Sequence, residues 1–228
     1  MTGHYKRFRI ARNSARGFST LELAFAMFII LVLSSIAIPQ AVTAMHTMRL
    51  KGAVTDFAGL LQVQRIRALD DDRFYSTYVL AANGANPQMA YVDIFPQNAN
   101  GTSGTGGANY TGGDPLVAIS QEISPQPVGA APNTANLKLQ LLPANSPVVP
   151  RDGSAAGTPV TFGPRGLPCN PQPVAGGTVC DSLGGPTAYW TFFQNNITQT
   201  WGAVTITPAG RIARWYFTGG AAGTWITY

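Results

Sequence analysis

Leu23-Ala24-Phe25-Ala26-Met27-Phe28-Ile29-Ile30-Leu31-Val32-Leu33-Ser34-Ser35-Ile36-Ala37-Ile38, followed by Pro39, is the stretch on which the fold turns. Its sixteen residues include only two polar ones, Ser34 and Ser35. Counted back to Phe18 the run reaches 21 residues. As a helix that is about 31 Å long, which matches the roughly 30 Å hydrocarbon core of a bilayer. Lys6, Arg7, Arg9, Arg12 and Arg16 precede it, and the next basic residue is Arg49. This asymmetry places the N-terminus in the cytoplasm and everything after Pro39 across the membrane.

Three readings of the segment compete. A secretory signal would be cut after the apolar run, with Ala44 acceptable at the cleavage position and Val42 two residues before it. A plain anchor helix would stay uncut. Neither gives Glu22 a role, although a carboxylate in an apolar helix costs up to roughly 2.5–3.5 kcal/mol and calls for a partner. The third reading supplies one. Gly17-Phe18-Ser19-Thr20-Leu21-Glu22, between a short basic leader and an apolar helix with Pro39, resembles the class III signal of type IV pilins and pseudopilins. The resemblance implies that a prepilin peptidase cuts between Gly17 and Phe18 and that Phe18 is then N-methylated. Glu22 would pair with the freed amine of Phe18 in a neighbouring subunit. Ser19-Thr20 departs from the Thr-Leu or Ser-Leu commoner in that family.

Composition argues against catalysis. Outside the leader, ten basic and ten acidic residues cancel, so the basic character belongs to the leader and bulk attraction to nucleic acid is a poor default. Of the two histidines, His4 lies in the leader. That leaves His46 and the pair Cys169 and Cys180, too few for a zinc site of the usual kind. A Ser-His-Asp triad would have to use His46, which the pattern puts on a long helix rather than in a cleft. No glycine motif for phosphate follows a strand and opens a helix. The reading is therefore not an enzyme, with no catalytic residue, no metal and no cofactor.

Past the apolar run, Leu50, Val54, Phe57 and Leu61 recur at spacings of four, three and four, one stripe of an amphipathic helix. The helix is expected to continue to about Ala68 and to kink at Pro39, whose ring blocks a backbone hydrogen bond. Met45, Met48 and Phe57 read as packing residues. Asp70-Asp71-Asp72 marks its end, since acids oppose the dipole at a helix C-terminus. Calcium is the alternative role for those three, but consecutive acids cannot all face one ion.

From Arg73 onward, short strand-like runs alternate with Gly, Pro and Asn clusters. The predicted strands are 74–80, 89–95, 116–120, 137–142, 159–162, 189–193, 203–207, 211–217 and 224–228. The best hairpin joins 203–207 to 211–217 through Pro208-Ala209-Gly210. Residues 96–114 and 164–186 read as extended loops. Cys169 and Cys180, with ten residues between them, either close a disulfide in an oxidising compartment or stay as two buried thiols.

Leu60-Leu61-Gln62-Val63-Gln64-Arg65-Ile66-Arg67-Ala68, Val160-Thr161-Phe162-Gly163-Pro164-Arg165-Gly166 and Ile206-Thr207-Pro208-Ala209-Gly210-Arg211 narrow the resemblance to the GspH/FimT family of minor pseudopilins and minor pilins. It implies an α+β fold, a long N-terminal transmembrane and amphipathic helix packed on a mainly antiparallel two-sheet β domain. The divisions are a cleaved cytoplasmic leader at 1–17, a transmembrane half-helix at 18–39, an amphipathic half at 40–72 and a periplasmic domain at 73–228. The implied role is a minor pseudopilin of a type II secretion system, at or near the pseudopilus tip. Its partners would be other pseudopilins or pilins, prepilin peptidase and the inner-membrane assembly platform. The alternatives are a type IV pilus subunit, including one active in DNA uptake, and a secreted binding or adhesive β domain. Some FimT-like pilins take up DNA through arginines near the C-terminus, and Arg211 and Arg214 stand in that region beside Trp215 and Tyr216. They are three apart, so in a strand they face opposite sides, and Gly210-Arg211-Ile212-Ala213-Arg214 has one residue more than a Gly-Arg-X-Arg pattern. Nucleic acid is accordingly not expected as a partner.

Overall fold

A computed structural model describes residues 19–80, 88–95, 114–143, 146–154, 158–174, 177–180, 187–219 and 223–228. The leader, Gly17 and Phe18, and nearly all of the loop expected at 96–114, lie outside them. The chain divides into two units, Met1–Val42 and Thr43–Tyr228.

One helix, α1 (Thr20–Asp70), contributes to both. It runs unbroken through Pro39. In the first unit none of its side chains is buried. In the second, the stripe read from the sequence is the buried one, and Leu50, Val54, Phe57 and Leu61 are fully enclosed. Phe57 packs edge-on against Phe193, with ring centroids 5.1 Å apart. Met45 and Met48, expected to pack, are instead exposed, because they fall on the helix face opposite the stripe. The helix ends as its acids foretold. Asp72 takes a left-handed conformation with φ 52°, and the Arg73 N–H donates to the Ala68 carbonyl at 3.3 Å. That closes the last turn in a Schellman-type cap, with Asp in the place usually taken by Gly.

The strands that follow are β1 (Tyr75–Leu80), β2 (Met89–Ile94), β3 (Leu116–Ala118), β4 (Ile123–Gln126), β5 (Arg151–Asp152), β6 (Val160–Phe162), β7 (Pro171–Val174), β8 (Gly177–Cys180), β9 (Tyr189–Asn195), β10 (Trp201–Ile206), β11 (Ile212–Thr218) and β12 (Thr224–Thr227). They form a four-stranded sheet in the order β3-β2-β1-β6 and a larger sheet in the order β12-β11-β10-β9-β4. Every pairing within and between these strands is antiparallel except the short β5–β9 contact. The fold is therefore α+β, a long N-terminal helix whose second half packs on an antiparallel β domain. This architecture is compatible with a pilin-like fold.

Period-two alternation divides the larger sheet between two cores. Tyr189, Phe193, Val204 and Ile206 join α1 and the inner face of the smaller sheet. Trp190, Phe192, Ala203, Trp215 and Phe217 point the other way, to Leu137 and Trp225. Leu137 belongs to α2 (Thr134–Leu141), which corrects the strand expected at 137–142. Leu137, Leu139 and Leu141 alternate as a strand would. A helix instead puts Leu137 and Leu141 on one face, four apart, where both are buried, and leaves Leu139 exposed. A second correction concerns 164–186. That stretch contains the β7–β8 hairpin, which its prolines and glycines disguised as loop. β4 and the two-residue β5 were also missed; Pro125 falls within β4.

The predicted hairpin at 203–217 is present as β10 and β11, with Ile206 opposite Ile212. Gly210 turns it at φ +78°, a region that disfavours any side chain. Across the core, Gly202 lets β10 approach α1. A Cβ built there would lie 2.7 Å from Val54 Cγ2.

Candidate functional site

The feature that most needs a partner is α1 over residues 20–42. Leu23, Phe25, Phe28, Leu31, Leu33 and Ile36 are each more than half exposed. Burying one such side chain gains about 1.5–3 kcal/mol. Six of them together are comparable with the whole stability of an ordinary domain, so this surface belongs in lipid or against protein. The segment is long and apolar enough to cross a membrane.

Its start is built for termination. Ser19 precedes the helix, and its Oγ accepts the Glu22 N–H at 3.2 Å. The Ser19 carbonyl accepts the first helical bond, from the Leu23 N–H at 3.1 Å. This is an N-cap, and Ser19-x-x-Glu22 is the sequence of a capping box. The signal is legible in the sequence, as Ser-x-x-Glu ahead of an apolar run. Glu22 sits in the first turn, where the helix dipole favours a negative charge. Phe18, whose amine in a neighbouring subunit the sequence reading pairs with Glu22, lies outside the described residues. Ser35, one turn before Pro39, returns its hydroxyl to the Val32 carbonyl at 2.7 Å.

Where α1 enters the β domain, Glu122 gathers two side chains. Its Oε2 lies 2.9 Å from His46 Nδ1 and accepts from Arg49 Nη1 at 3.2 Å. His46 and Glu122 are nearly enclosed, while Arg49 is half exposed. Asn195 adds a bond from Nδ2 to the His46 carbonyl at 3.4 Å. His46 thus ties α1 to the chain just before β4. Further along, Gln64 is fully buried and bonded to β1 and β6. A polar residue on the apolar stripe, three after Leu61, was the available sign of it. Glu122 had no comparable local sign.

Cys169 and Cys180 are joined as a disulfide, with Cα atoms 5.4 Å apart. The bond anchors the β7–β8 hairpin to the turn after β6. Cys169 is also held by its N–H to the Thr161 carbonyl at 2.9 Å, and its carbonyl accepts from the Tyr189 hydroxyl at 2.6 Å. Burial pushes that tyrosine's pKa up to about 12.

Arg211 and Arg214 are not brought together. Arg211 is exposed at the hairpin turn, its N–H donating to Thr207 Oγ1 at 3.1 Å. Arg214 lies against α1, donating to Thr55 Oγ1 at 3.3 Å. It also sits 5.4 Å from the Tyr228 ring centroid. At the end of α1, Asp71 accepts the Tyr75 hydroxyl at 2.5 Å. Among the described residues no three His, Cys, Asp or Glu side chains are grouped as a metal ion would need.

Comparison with models of protein families, with curated proteins and with solved structures finds no match.

Proposed function

We propose that the protein is a minor pseudopilin of a type II secretion system, of GspH/FimT type, acting as a structural subunit rather than a catalyst. The observation that carries this reading is the capped helix start. A lone carboxylate, Glu22, stands in the first turn of a helix whose apolar first half is exposed and whose second half enters the core of a disulfide-bonded β domain. A simple anchor or an export signal needs the apolar length and gains from Glu22 only a more stable first turn. A filament subunit uses both. The helix holds the subunit in the inner membrane, N-terminus in the cytoplasm and β domain in the periplasm, until the assembly platform draws it into a bundle of like helices. There the carboxylate meets the amine that prepilin peptidase exposes on Phe18 of a neighbour.

Mass spectrometry of the protein from its native envelope tests the reading. The expected N-terminus is methylated Phe18, and Gly17→Val leaves the full 228-residue chain. A mature protein beginning after Ala44 would overturn it. Deletion is expected to block secretion; loss of pili with secretion intact would assign the subunit to a type IV pilus.

A further inference from the structure

Phe193, near the end of β9, packs against Phe57, and two residues further on Asn195 donates from Nδ2 to the His46 carbonyl at 3.4 Å. β9 therefore leads back along α1 towards the start of the domain, and the turn that joins it to β10 lies at that end. Asn195 is fully buried and builds the turn. Its Oδ1 accepts the N–H groups of Ile197 at 2.9 Å and Thr198 at 3.1 Å, and its carbonyl accepts that of Gln199 at 2.9 Å. Gln199 donates from Nε2 to the Asn196 carbonyl at 2.8 Å, and the Asn196 N–H donates to the Glu122 carbonyl at 2.7 Å. A turn braced in this way holds up one apolar side chain, Ile197, which is 61% exposed.

Further apolar side chains gather at this end. Met45 and Met48 are exposed on other sides of the same stretch of α1. Trp201 opens β10 beside the turn and is half-buried, whereas Trp190, Trp215 and Trp225 are buried. Tryptophan favours the interface between lipid and water. Residues 188–210 carry no charged side chain. Glu122 is nearly enclosed and engaged by His46 and Arg49. The exposed charge of that group is the Arg49 guanidinium, of the sign that headgroup phosphates attract. Polar groups of the turn are bonded to one another, which lowers the cost of leaving water. Chain length says which surface is in reach. Thr43, the first residue of this unit, stands five residues after Ile38, the last of the apolar run. Five residues span at most about 18 Å, whatever path they take. The headgroup layer adds roughly 5–7 Å to each side of the hydrocarbon core.

We infer that the β9–β10 turn is a lipid-contact site, which seats Ile197 among the headgroups of the bilayer that residues 20–42 cross, with Trp201, Met45 and Met48 in the same layer. The inference rests on the membrane-spanning reading of that helix but not on the pseudopilin assignment.

The test uses the full chain in phosphatidylcholine nanodiscs containing lipid spin-labelled either near the headgroup or midway along the acyl chain. The variants Ile197→Cys, Ile29→Cys and Ala209→Cys each carry a thiol-reactive fluorophore, attached with the native disulfide intact. Ile29 lies in the apolar run, and Ala209 is exposed in the turn at the other end of β10. The fluorophore at position 197 is expected to lose most of its emission to headgroup-labelled lipid, that at 29 to acyl-labelled lipid, and that at 209 to neither. A fluorophore on Asn196→Cys, also exposed, is expected to be quenched like that at 197 and to regain its emission when Ile197→Asp is added. Quenching at 197 no greater than at 209, with 29 quenched, would overturn the proposal and leave the membrane span standing. Absence of quenching at 29 would remove the span and the proposal with it. Quenching at 196 undiminished by Ile197→Asp would also overturn the proposal.

Discussion

Gln64 donates from Nε2 to the carbonyl of Val160 at 2.8 Å, joining the last two turns of α1 to a strand 96 residues away. The same nitrogen donates to the Tyr75 carbonyl at 2.5 Å, and Oε1 accepts from the Thr77 hydroxyl at 2.7 Å. One amide thus reaches two adjacent strands of the smaller sheet, β1 and β6, and its polar atoms are paired. Replacing it takes a hydrogen-bond partner from several buried groups, and a buried group left unsatisfied costs about 1–3 kcal/mol. Gln64→Leu is expected to lower the unfolding free energy of the full chain in detergent by roughly 2–4 kcal/mol. Gln62→Leu, on the exposed side of the same turn, should change it little. Denaturant titration followed by circular dichroism compares the two.

The disulfide closes a loop of modest length, Cys169 and Cys180 being separated by 11 positions. Loop entropy assigns such a bond about 2–3 kcal/mol. Protein exported through its native envelope is expected to resist thiol labelling at both cysteines until reduced. The double variant Cys169→Ala/Cys180→Ala should lose about that much stability. Free thiols in the exported protein would refute the bond.

Much of this fold was legible because it rests on periodicity. The stripe at Leu50, Val54, Phe57 and Leu61 fixed the buried face of α1, and alternation found the core strands β9 to β11. What escaped was set by tertiary context. Leu137, Leu139 and Leu141 satisfy a strand and a helix pattern equally, and the aromatic cluster of Trp190, Phe192, Trp215 and Trp225 in which Leu137 is buried is built from strands far along the chain. Pro171 and Pro173 argue against a strand until their position on a hairpin edge is known. The Glu122 contacts with His46 and Arg49 span more than 70 residues, beyond any local pattern. Of the candidate site, the apolar helix and Glu22 were plain from the sequence, and the Ser19 cap was available but unread.

Alkaline pH should weaken the domain through Tyr189. Burial raises its pKa to about 12 from an ordinary 10. Between those values the unfolded chain loses the phenolic proton while the folded chain keeps it. The folded state then binds more protons, so stability is full below pH 10 and falls as pH rises towards 12. One such group contributes a slope of up to about 1.4 kcal/mol per pH unit. Tyr75, pushed up to about 12 by burial and by its bond to Asp71, has the same sign. Tyr189→Phe is expected to flatten the decline in unfolding midpoint between pH 10 and 12 relative to the unaltered chain. An unchanged slope would count against the shift.

Glu22 offers a cleaner separation of membrane insertion from assembly. A carboxylate near the end of an apolar helix costs something in lipid, less than the roughly 2.5–3.5 kcal/mol at the centre. Glu22→Ala is therefore expected to insert at least as well as the unaltered chain, while its incorporation into filaments falls well below that of the unaltered subunit in the same cells. Fractionation reads the first and filament shearing the second. Equal incorporation would remove the pairing role.

Nucleic-acid binding gives the sharpest contrast between the secretion and DNA-uptake readings. Phosphate binding wants clustered, accessible cations, and each phosphate contact makes affinity fall with salt. Arg211 is accessible but stands at a turn. Arg214, which the sequence alone would have offered as its companion, is engaged by Thr55 and the face of Tyr228. Lys51, 4.7 Å from the Tyr216 ring centroid, is likewise laid on an aromatic face. Freeing either cation gives up its contact with a ring, about 0.5–1 kcal/mol at an exposed site. Outside the leader the positive and negative charges cancel, so no long-range field makes up the difference. The mature protein in detergent is expected to show no salt-sensitive binding to duplex or single-stranded DNA at physiological ionic strength, by fluorescence anisotropy. Micromolar binding that weakens with salt and vanishes in Arg211→Ala/Arg214→Ala would shift the assignment from secretion to DNA uptake.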